Sequence, residues 1–271
     1  MARPRSDEFA YAGGLYARMY DLGMSGEENM KSKSVQTQNS SRQIRQAVFA
    51  LVYTAVMLTI IEHVFLPFRV ATWLYQSPHL ITHSVLLMAG VIWAVACVVG
   101  YLVIPLAVVT IWHRQPVTGI GYSFTGFTQH VKVYLGLYLV MIPLIVLASQ
   151  STAFQQLYPF VPEAKVSLKS YFIWEFFYVL QFISLESFFR GYLLFTLEKV
   201  THSAIAIAVM TVPYAMIHVH KPLPEACGSI VAGLVLGWLS LKYRSWVGGA
   251  MVHALVAVTL DSLACHRAGL F

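Results

Sequence analysis

Leu185-Glu186-Ser187-Phe188-Phe189-Arg190-Gly191 sits inside the apolar run Tyr171–Leu197, whose other residues are largely Phe, Leu, Ile, Val and Tyr. A run of that length predicts a membrane helix, because crossing a ~30 Å hydrocarbon core takes about 20 apolar residues. Charged side chains within it are costly. At membrane depth they face a bundle interior or a wet cavity, pair with one another and mark function. Glu186 and Arg190, four residues apart, lie one above the other on a helix face. The stretch therefore predicts a helical membrane protein built around a polar site.

Composition agrees. Of 271 residues, 58% are hydrophobic and only 11% charged, with a mean hydropathy of +0.65; soluble domains carry roughly 25% charged residues. The net charge of +6 fits loops facing anionic headgroups. No Lys/Arg-rich stretch is interleaved with aromatics, which argues against a nucleic-acid partner. Cys97, Cys227 and Cys265 show no CxxC spacing and imply no disulfide framework. The first apolar run begins at Ala47, too late for the core of a cleavable signal peptide.

The expected architecture is an all-α polytopic bundle of about seven transmembrane helices: Ala47–Phe68, Ile81–Trp112, Val131–Leu147, Tyr171–Leu197, Ala204–His218, Ser229–Leu241 and Trp246–Leu263. The sixth carries Gly228, Gly233 and Gly237, which let neighbouring backbones approach. Residues 1–46 read as a polar, flexible cytoplasmic tail, with a short interfacial helix over Phe9–Met24 and a linker over Ser25–Gln46. Residues 47–271 read as the membrane domain, with a catalytic-motif core at 171–263. Seven spans put Arg114, Lys132, Lys199, Lys242 and Arg244 on the side of Lys31, Lys33, Arg42 and Arg45. Arg69, Lys165, Lys169, Lys221 and Arg267 fall opposite. The positive-inside rule then favours a cytoplasmic N-terminus.

Two further polar positions stand out. In Pro213-Tyr214-Ala215-Met216-Ile217-His218, the histidine closes an apolar helix that Pro222 stops. His253 lies about two turns into the last span, after Ser245-Trp246-Val247-Gly248-Gly249. A lone membrane histidine is often a helix–helix hydrogen-bonding residue. A Glu/Arg pair and two histidines from three helices instead suggest one shared cavity. Glu62 and His63 read as interfacial, as do His79, His83, His113 and His130, while His220 and Lys221 read as loop residues.

Taken together, Glu-x-Phe-Phe-Arg-Gly, aromatic-x-x-x-His, then Ser-Trp before a histidine in the last helix, look like the CAAX protease and bacteriocin-processing (CPBP, or Abi) family of intramembrane endopeptidases. The resemblance covers roughly Tyr171–Leu263. Arg190 and Glu186 match the arginine and second glutamate of the family's Glu-Glu-x-x-x-Arg, with Leu185 in place of the first. Tyr214 and His218 match Phe-x-x-x-His. His253 matches His-x-x-x-Asn, with Ala257 in place of the asparagine. Glu175 lies ~16 Å along the helix from Glu186, and Asp261 lies ~12 Å along and about 80° off the face of His253, so neither fills the missing positions.

The resemblance implies a glutamate-type endopeptidase that hydrolyses a peptide bond near the C-terminal end of a membrane-associated substrate, lipidated or membrane-inserted. Its catalytic residues would be Glu186, Arg190, His218 and His253. Glu186 would activate water with His218 beside it, and His253 would donate to the oxyanion, the two needs of amide hydrolysis. The family is read as needing no cofactor; a zinc version would use Glu186, His218 and His253, three ligands with an open position. Leu185 and Ala257 raise the alternative of a catalytically degenerate member acting as a membrane binding or immunity-type protein. A transporter using the same ionisable groups lacks the paired half-helices or inverted repeat expected of it.

Overall fold

A computed structural model describes residue 33 and residues 36–76 and 84–271. The expected helix at Phe9–Met24 lies outside the described residues, as do His79 and His83. The chain divides into two compact units, residues 1–46 and 47–271. Residues 36–46, expected as linker, are helical. They contain neither Gly nor Pro, so nothing stops a helix from propagating through them.

Among the described residues the protein is helical, and six helices are long and apolar enough to cross a membrane. The first is Gln36–Phe65, whose residues 47–65 (α1) belong to the larger unit. After the short helix α2, Pro67–Tyr75, come α3, Val85–Trp112, and α4, Val131–Ala148. Next are α5, Leu168–Glu198, then α6, Ser203–Met216, α7, Leu223–Tyr243, and α8, Val247–Arg267. All seven expected helices exist, but six rather than seven reach crossing length. The exception is α6, whose 14 residues extend about 21 Å, short of a ~30 Å core. It ends where Ile217–His220 turns the chain into α7.

Helix α5 is the axis of the bundle, and its apolar window is 61% buried against 11% for α4. It starts at Ser167, whose side chain accepts from the Ser170 N–H and so caps the first turn. Phe188, Phe189, Tyr192, Leu193, Leu194 and Phe195 are each at most 1% exposed, and together they form the centre of the main core. The helix widens to π geometry over Ser187–Leu193, directly after Glu186; such bulges occur frequently at functional sites.

Helices α5 and α8 run antiparallel along a polar seam. Tyr171 Oη and Ser262 Oγ are 2.7 Å apart, and the Trp174 Nε1–H donates to Asp261 Oδ2 at 2.7 Å. Further along, Phe182 packs on His253 with centroids 4.3 Å apart, and Glu186 reaches His253. Each advance along α5 is a retreat along α8. Helices α6 and α7 form a close hairpin. Of the three glycines expected to permit this, Gly233 faces Thr211 so closely that a Cβ would come within 2.6 Å of its methyl, and Gly237 faces Met210; Gly228 faces open space.

Candidate active site

The structure brings Glu186, Arg190 and His253 into direct contact and sets His218 beside them. Glu186 Oε1 accepts from Arg190 Nη1 at 2.7 Å and from His253 Nδ1 at 2.8 Å. Because a carboxylate only accepts, Nδ1 of His253 carries the proton in this contact. The side chains of Glu186 and Arg190 are wholly buried, whereas that of His253 is 14% exposed. Glu186 Oε2 and the Nε and Nη2 atoms of Arg190 have no hydrogen-bond partner among the described residues.

His218 is fixed from within its own helix end. Its Nδ1 lies 2.8 Å from the Tyr214 carbonyl oxygen, another pure acceptor, so here too Nδ1 is the donor. That carbonyl is available because Tyr214 lies in the last turn of α6, where carbonyls lack intrahelical partners. The rings of His218 and His253 are 6.3 Å apart and 28° from parallel.

Tyr214 joins the two halves. Its ring lies 3.7 Å from the Arg190 Cζ, a cation–π contact worth about 2 kcal/mol when desolvated, and 4.9 Å from the His218 ring. The aromatic-x-x-x-His spacing singles out this residue, but nothing in that spacing signals that its carbonyl and its ring act on different partners. Two other neighbours lack any polar signature: Phe182, which supports His253, and Gly249, where a Cβ would come 3.0 Å from Glu186 Oε2.

The two departures from the family pattern are both apolar in their surroundings. Leu185 and Ala257 are each 4% exposed and belong to the same hydrophobic cluster as Tyr178, Phe182 and Phe188. Glu175 and Asp261 stand in a different layer. Asp261 accepts from Trp174 Nε1 and from the Phe160 N–H at 3.2 Å. Glu175 is buried, and neither of its oxygens has a partner among the described residues. Of the residues expected at the interface, His113 is buried and His130 stacks on Tyr243 at 3.6 Å.

Among the described residues, no group of three or more His, Cys, Asp and Glu side chains is arranged to hold a metal ion. The carboxylate of Glu186 binds the Nδ1 face of His253 rather than sharing a coordination centre with it.

Residues 167–259 match the model of the type II CAAX prenyl endopeptidase Rce1-like family. This stretch of the chain is similar to that endopeptidase family. The matched stretch runs from the start of α5 into α8 and contains all four residues of the polar cluster, while Asp261 and Ser262 of the seam lie just beyond it. No curated protein and no solved structure matches the chain. The six crossing-length helices make this a multi-pass membrane protein, and its residues 167–259 resemble an endopeptidase family.

Proposed function

We propose that the protein is a working intramembrane endopeptidase that cuts a peptide bond in the C-terminal CAAX-type tail of a membrane-held substrate. The observation that carries this reading is the 2.8 Å contact between Glu186 and His253, made across two helices at the centre of the family core. A degenerate core would have little reason to keep a buried charge pair beside a partly exposed histidine, since an apolar replacement is often equally stable. Lipidation would hold the substrate at the membrane in which the crossing-length helices lie. Lys199, Lys242 and Arg244 lie at the end of the bundle where α5 and α7 finish, which supports a cytoplasmic placement of that end.

The test uses the full chain in lipid nanodiscs with an S-prenylated CAAX peptide. Cleavage near the C-terminus is expected, and His253→Ala or Glu186→Ala abolishes it. A second reading, a binding protein without catalysis, draws on Leu185 and Ala257. It predicts peptide binding with no product, and cleavage that both variants leave intact would sink the site assignment.

A further inference from the structure

Within the cluster, burial and hydrogen bonding divide the four side chains into two kinds. Glu186 and Arg190 are wholly buried, and the carboxylate oxygen that is engaged is shared by Arg190 and His253. His218 and His253 are the members with exposed surface, 9% for the residue His218 and 14% for the side chain of His253. A water molecule or peptide reaching this cluster meets the histidines first. Both rings are pinned through Nδ1 to an acceptor, one to a carboxylate and one to a main-chain carbonyl. Each therefore presents, in its neutral form, an unprotonated Nε2.

We infer that the proton-transfer atoms of this site are the two histidine Nε2 atoms, and that Glu186 and Tyr214 are positioning residues that hold those rings in the Nδ1–H form. The inference rests on the endopeptidase reading and assigns the roles within it. In this reading one water lies between the neighbouring rings, whose centroids are 6.3 Å apart. His253 Nε2 takes one proton as the water oxygen bonds to the scissile carbonyl carbon. His218 Nε2 accepts a hydrogen bond from the other O–H. As the C–N bond breaks, His253 returns its proton to the leaving nitrogen, so the ring ends neutral. His253 is the base, because the charge it carries in between lies against a carboxylate, whereas His218 has only a carbonyl dipole. The same logic applies to the aspartate of a Ser-His-Asp triad, which orients the ring and steadies the imidazolium without taking the proton. On this account Leu185 is no defect, since no second glutamate is required to activate water.

Two measurements decide it. The first is nitrogen-15 NMR of histidine-labelled protein, assigned with His218→Gln and His253→Gln. Both rings should show a protonated Nδ1 and a bare Nε2, and Glu186→Gln should disturb the His253 signals while leaving those of His218. An Nε2–H form at His253 overturns the inference. The second is rescue of folded His253→Gly by added imidazoles of differing basicity. Cleavage should recover at least about tenfold, a modest share of the 10²–10⁴-fold that general base catalysis supplies, and should follow the free-base form. Rescue that follows the protonated form, or none in a protein that still binds the peptide, overturns it. If the glycine variant does not fold, the NMR result stands alone. Absence of cleavage by the unaltered chain refutes the endopeptidase reading instead, whatever the ring spectra show.

Discussion

The Gly249 backbone is the wall against which the Glu186 carboxylate rests: a methyl group there would lie 3.0 Å from Oε2. The approach is close enough that the carboxylate, the α8 backbone or both must shift if a Cβ is added. Gly249→Ala should therefore damage the site more than the fold. Misplacement of a reacting group by about 1 Å can cost 10²-fold in rate, while overpacking costs about 1–3 kcal/mol. Cleavage kinetics and a thermal melt on one preparation check this, with a fall in kcat of about 10–10²-fold expected.

Arg190 neutralises Glu186 where both side chains are wholly buried. Arg190→Met leaves that carboxylate uncompensated and should cost about 3–5 kcal/mol, while the double variant Glu186→Leu/Arg190→Met should recover most of it. Denaturation in mild detergent measures both. A double variant less stable than the single one would mean that the pair itself holds the bundle together.

Leu185 gives a test of whether the chain lacks a catalytic group. It is packed among Phe and Tyr side chains in the main core. Leu185→Glu buries a second carboxylate with no partner provided, and the expected outcome is a marked loss of stability without faster cleavage. Accelerated cleavage by this variant would return the water-activating role to that position.

Asp261 separates architecture from chemistry. It accepts from the Trp174 indole and the Phe160 amide, and Asp261→Ala strands both donors, each at about 1–3 kcal/mol. Melting should occur at lower temperature while cleavage per folded molecule is retained. Loss of cleavage in well-folded Asp261→Ala would place it within the catalytic network.

A chelator provides the last test. With Glu186 bound to the Nδ1 side of His253, the three groups do not converge as ligands. Dialysis against EDTA should leave cleavage unchanged, and restoration of lost activity by zinc would require the cluster to rearrange.

What the residues disclosed followed their chemistry. Glu186, Arg190, His218 and His253 were conspicuous because polar groups in apolar helices need a reason. Tyr214 was marked by its spacing to His218, and the glycines of α7 by their small size. Features without polarity were hidden. Helices made almost wholly of apolar residues carry little contrast between faces, so nothing indicated that Phe182 supports a histidine or that Leu185 points into the core. The shortness of α6 is hidden for a related reason: hydrophobicity continues through Met216-Ile217, whereas the backbone turns there. The π segment at Ser187–Leu193 depends on packing by residues distant in the chain.

The antiparallel seam has a consequence for how this chain can change over time. Tyr171, Trp174, Phe182 and Glu186 on one helix meet Ser262, Asp261 and His253 on the other. One inserted or deleted residue between 253 and 261 would turn one end of α8 by about 100° relative to the other, and no adjustment would restore both sets of contacts. The connecting loops can grow or shrink, but the length of this paired segment is fixed by the need to keep a carboxylate opposite a histidine and an indole opposite an aspartate.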